Sequence, residues 1–102
     1  MLTQKQKETP YVWVFKLATG EEIITRVTEE TDTHYHIKAP LQMVMGQRGP
    51  QFGPFIMMAN PDKLKINKTH VVADAGPVAE LEGQYESITT GIALPQKSSI
   101  IT

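Results

Sequence analysis

The 102 residues include no cysteine, which removes both a disulfide framework and any thiolate metal site. Long apolar runs are missing as well. None approaches the roughly 20 residues that a membrane-spanning helix needs, so no membrane partner is expected. The opening MLTQKQKETP has no apolar core of the kind a secretory leader carries, and the chain reads as soluble and cytoplasmic. A surplus of charge is also lacking: the net value of −1 does not mark a strong nucleic-acid binder. Reaction chemistry is equally thin. There is no phosphate-cradling glycine loop, no nucleophile with an evident base and orienter, and no carboxylate pair set beside a histidine in a cleft. Neither catalysis nor a cofactor is expected.

The composition that remains is that of one ordinary globular domain, with 40% apolar and 21% charged residues. Charge is unevenly spread. Residues 1–32 hold four Lys/Arg against six Asp/Glu, residues 33–70 hold five against one, and residues 71–102 hold one against four. The middle is therefore basic and both ends are acidic, which is either a binding surface or a solvated face.

Local pattern divides the chain into a flexible arm (1–10), a β domain (11–76), a C-terminal helix (77–91) and a tail (92–102). YVWVFKL (11–17) is aromatic and β-branched, as strands are. Its odd and even positions are both apolar, which predicts burial on two sides rather than an exposed stacking platform. Gly20 supplies a turn, IITRVTEE (23–30) a second strand, and TDT (31–33) a turn of side chains that bond their own backbone. HYHIKAPLQMVM (34–45) is a third strand, with Pro40 at a kink or an edge. The stretch 46–54 holds three Gly and two Pro and reads as a loop. FIMMA (55–59) reads as a strand, NPDK as a bend, LKI (64–66) as a continuation, Asn67-Lys68 as a turn and THVVAD (69–74) as a last strand. Val78, Leu81, Tyr85 and Ile88 fall on one helical face, with Pro77 suited to the first turn and Gly91 to a stop. The sum is a mainly β protein: five short, strongly bent strands forming a small open barrel, followed by one α-helix.

His34 and His36 share a face of any extended strand, with Asp32 just before them. Together with His70 they could begin a zinc site, although no fourth ligand is evident. They could equally lie in water while Tyr35 points into the core. The methionines at 43, 45, 57 and 58 suit either an adaptable core or a partner surface.

Strand order and two short motifs resemble the Sm-like family, which includes the bacterial Hfq proteins. Leu17-Ala18-Thr19-Gly20 followed by Ile23 and Val27, then Asp32-Thr33-His34-Tyr35-His36, is similar to the first Sm motif, with Thr25 where a glycine is usual. Ile66-Asn67-Lys68-Thr69-His70-Val71 stands where the second motif has an apolar residue, Arg and Gly, so Asn67 and Lys68 replace that pair. The likeness covers residues 11–73. The family's helix usually precedes its strands, whereas the helix expected here follows them. ESITTGIAL resembles the endings of small Sm-like proteins encoded by marine phages, which would place the chain in a host cytoplasm.

The resemblance implies an SH3-type barrel that assembles with copies of itself into a ring, the fourth strand of one subunit beside the fifth of the next. Here those strands would be 55–59 and 69–74. It also implies that the turns after strands two and four meet at a pore and hold single-stranded RNA, U- or A-rich. His34 would stack on a base, His36 would take the place of an edge-reading Asn, and Lys68 would supply charge. Asn67 would carry the left-handed turn that glycine usually makes. Asp32 and Gly20 would support the turns. The other course is a ring without RNA, contacting a protein through the acidic helix 77–90 and the Met-rich loop.

Overall fold

A computed structural model describes residues 8–90. Most of the expected arm, the Gly91 stop and the tail therefore lie outside the described residues. Six strands form one antiparallel sheet: β1 (Tyr11–Leu17), β2 (Glu22–Glu30), β3 (His34–Gly46), β4 (Gly49–Pro54), β5 (Leu64–Asn67) and β6 (Val71–Ala75). A three-residue 3-10 turn, Lys68–His70, joins β5 to β6, and helix α1 (Ala79–Thr90) ends the described chain. Among the described residues no helix is long and apolar enough to cross a membrane.

The two-sided apolar pattern of β1 has a direct structural counterpart. Phe15 and Leu17, with Tyr11 and Trp13 beside them, enter one core with Ile23, Val27, Ile37 and Ile66. Val12 and Val14 enter a second core on the opposite side, with Ile24 and Tyr85. β1 lies between β2 and β6, so its backbone is paired on both edges and its side chains are covered on both faces. Helix α1 is the cover of the second face.

Sheet curvature follows from connectivity. The hydrogen-bonded path runs β6–β1–β2–β3–β5. Five flat strands would hold their outer members roughly 19 Å apart at the usual spacing. Yet β5 and β6 are linked by three 3-10 residues, which span about 6 Å. The sheet therefore curls until its ends nearly meet, and the Ala18 N–H donates to His70 O at 2.8 Å across that end. No ladder joins β5 to β6, so the sheet stays open.

Strand β3 bends at one place. Its first half, His34–Ile37, pairs with β5, and its second half, Leu41–Gly46, pairs with β4. Between them Ala39 has φ +54°, a left-handed conformation that a residue with a Cβ resists. Pro40 follows, at the expected kink. The Ala39 N–H donates to Pro61 O at 2.7 Å, and the β2–β3 register shifts at the bend, between Ile24 and Arg26, and again between Val27 and Glu29, as bulges do when a strand turns sharply.

Two expected elements exchange roles. The stretch 46–54 is not a loop: β4 pairs residue for residue with β3, from Leu41↔Pro54 to Gly46↔Gly49. Its prolines are tolerated because β4 is an edge strand, one side of which needs no N–H donors. Gly49, at φ +113°, makes the tight turn. Phe52 alone anchors β4 to the second core. Conversely, 55–59 is not a strand. The positions beside β3 that it would need are taken by β4 and β5, and Pro54 and Pro61 flank it. Phe55 packs on the first core, while Met57 and Met58 are 82% and 98% exposed. The strands therefore number six rather than five.

Helix α1 starts two residues later than expected and seats only part of the expected face. Tyr85 is fully buried and Leu81 half-buried, but Val78 and Ile88 stay exposed. A straight helix on a curled sheet touches it over little of its length. Tyr85 makes that contact specific: its hydroxyl donates to Lys38 O (3.0 Å) and Ala39 O (2.8 Å), the carbonyls at the bend of β3. Arg26 of β2 adds an ion pair to Glu86 at 2.6 Å.

Candidate functional site: two adjoining turns

The turn after β2 and the turn after β5 lie side by side. His34 and Asn67 are cross-strand partners, and the Lys68 N–H donates to Thr33 O at 2.8 Å. His34, Asn67 and Lys68 are thus gathered at one end of the β3–β5 ribbon. Tyr35 and Ile37 point into the first core, so alternation turns His34 and His36 together to the other side. Both histidines are half-buried. The Nδ1 of His34 lies 2.8 Å from the Thr33 hydroxyl, which fixes the ring's tilt.

The first turn is held by Thr31 rather than Asp32. The Thr31 hydroxyl accepts from the N–H groups of Thr33 (3.3 Å) and His34 (3.0 Å), and its own N–H donates to His34 O (2.9 Å). Asp32 stands exposed at the tip. A threonine hydroxyl does here what an aspartate carboxylate does in many turns, and the TDT composition was the only sequence signal for it.

Asn67 also differs from expectation. It is extended, at φ −73° and ψ 131°, so it bears no left-handed strain. Its side-chain oxygen accepts from the Thr69 N–H (2.9 Å) and hydroxyl (2.8 Å), capping the 3-10 turn. Only its amide NH2 is then left to face a ligand. Gly20, the turn residue between β1 and β2, does have a positive φ of +110°, and its N–H donates to Leu17 O at 2.9 Å. Thr25 is fully buried, and its hydroxyl donates to Lys38 O at 3.1 Å.

Lys68 does not stand free. Its ammonium lies 2.7 Å from Glu30 and 5.0 Å from the centre of the Tyr35 ring. The Tyr11 hydroxyl donates to the same Glu30 at 3.4 Å. Burial, then the Glu30 charge, pushes the Tyr11 phenol up to about 12, and the same two causes raise Tyr35. Glu30 is a residue the sequence offered no reason to single out. It sits at the end of β2, opposite Tyr35, where strand pairing alone brings it to Lys68. Among the described residues no three His, Asp or Glu side chains converge as metal ligands would.

Compared with known proteins, the chain matches no family model, and no curated protein matches it significantly.

Proposed function

We propose that the chain is an Sm-like subunit, a small open barrel that assembles with copies of itself and holds single-stranded RNA at the adjoining turns. The observation that carries this reading is the bond from Lys68 to Thr33 with the pairing of His34 and Asn67. Two loops far apart in sequence form one surface, carrying an imidazole able to stack on a base. The self-contact would use the outer edge of β6, where Val72 is 64% exposed, against the β5 edge of the next copy, in place of the segment 55–59. An unpaired apolar edge favours such pairing, and head-to-tail pairing that closes makes a ring.

The test is a titration of labelled oligouridylate and oligoadenylate at several salt concentrations. Binding at low salt that weakens as salt rises is expected. His34→Ala should lower affinity on the order of tenfold, the usual worth of one stacked base. No binding at the lowest salt would end the proposal.

A second reading, an assembly that serves as a protein scaffold, draws on the Lys68–Glu30 pair, which cancels the charge nearest the turns. It also draws on α1, where Glu80 and Glu82 are exposed beside Val78 and Ile88. It would be favoured if the oligonucleotides fail while Glu82→Lys releases a bound protein. Glu86 is unsuitable for that test because it anchors the helix to Arg26.

A further inference from the structure

The lysine of the turns is paired, while other lysines lie beside them. Among the described residues the ion pairs are Arg26–Glu86 and Lys68–Glu30, so Lys38, Lys63 and Lys65 carry charge that no carboxylate neutralises at contact distance. Strand alternation sets Lys38 and Lys65 on one face of the sheet. Tyr35, Ile37, Leu64 and Ile66 turn into the first core. The alternate positions His34, His36 and Lys38 on β3, and Asn67 and Lys65 on β5, therefore share the outward face. His36 is directly opposite Lys65, as His34 is opposite Asn67. Lys63, at the entry to β5, joins His36 and Lys65 in lining a shallow groove of about 410 Å³. Two carboxylates border it: Glu29, the β2 partner of His36, and Asp62. Lys63 and Lys65 balance these two carboxylates in the groove, and Lys38, on the same face of β3 beyond it, leaves the ribbon one charge positive with its histidines neutral.

We infer that this outward face of the β3–β5 ribbon is a track for the phosphate backbone of single-stranded nucleic acid, leading away from the base-holding turns. The inference rests on the RNA-binding reading. It divides the labour: His34 meets a base, while Lys38, Lys63 and Lys65 meet successive phosphates. Lys65 lies opposite His36 and Lys38 stands one alternate position, ~6.7 Å, beyond His36 on β3, so the cations are spread along the ribbon rather than gathered at a point, which suits a linear polyanion.

The test compares Lys63→Ala/Lys65→Ala with the unaltered chain, using labelled oligouridylate across a salt series. Losing two phosphate contacts on a single strand should flatten the slope of log affinity on log salt by about 1.4. The uridylate-to-adenylate preference should remain, whereas His34→Ala should change the preference and keep the slope. Lys63→Gln/Lys65→Gln, which retains much of each side chain's covering surface, should reproduce the flattening. An unchanged slope in both lysine variants, with RNA still bound, would overturn the track and leave the turn reading standing. Failure of the unaltered chain to bind any oligonucleotide at low salt would overturn both. Capture of polyglutamate but not oligouridylate would reassign the face to an acidic protein and overturn the track.

Discussion

Tyr85 shows how one side chain settles a local conformation. The bend in β3 needs Ala39 at φ +54°, an arrangement that costs on the order of 1–2 kcal/mol for a residue with a Cβ. The Tyr85 hydroxyl holds the two carbonyls at that bend, and the Ala39 N–H is taken by Pro61. Tyr85→Phe removes the donor and keeps the ring. It should cost about 1–3 kcal/mol, the usual penalty for leaving buried polar groups unmet. Tyr85→Ala should cost about 3–5 kcal/mol, because a buried ring is lost as well. Urea denaturation of the two variants checks the order; a Phe variant as stable as the original would show that the hydroxyl contributes nothing. The importance of Tyr85 was only half legible: its place on the apolar helical face could be read, but its partners Lys38 and Ala39 are more than forty positions away.

Among the elements, strands β1, β2, β3 and β6 were readable from local pattern and adjacent turns, and β5 was read as the continuation of 55–59. β4 was not, because Pro50, Pro54, Gly49 and Gly53 suppress strand propensity, and only an edge position beside β3 makes them acceptable. The reverse error at 55–59 has the same origin: both stretches beside β3 are taken, by β4 and by β5, and an apolar run left without a partner there forms no strand. Three tyrosines tie elements together, Tyr11 on β1, Tyr35 on β3 and Tyr85 on α1, and burial raises the phenol of each. A phenol raised above its unfolded value of about 10 leaves the unfolded chain to ionise first. Stability should therefore be full below pH ~10 and fall as pH rises from there toward 12. A denaturation series across that range, followed with tyrosinate absorbance, reads both effects. Tyrosines that all ionise near 10 without loss of structure would contradict it.

For the molecule as a whole, the curl of the sheet decides what is near what. It brings β5 and β6 into one short turn and leaves their outer edges free. If those edges join copies, Val72→Pro should block assembly by removing a backbone donor from the middle of β6. Light scattering should then report a single chain for the variant and a multiple for the original. A chain that is single at high concentration in both cases would remove the ring.

The amino-acid order by itself determined the β class, most strand positions, the helix and the shared face of His34 and His36, because alternation and helical spacing are local properties. It also placed Gly20 at its turn. Only the tertiary structure decided that Thr31 rather than Asp32 ties the first turn, that Glu30 neutralises Lys68, and that Lys63 and Lys65 stand together beside His36. Those outcomes depend on strand register and on where the sheet bends. Both are set by which distant side chains pack together, and no window of neighbouring residues contains that information.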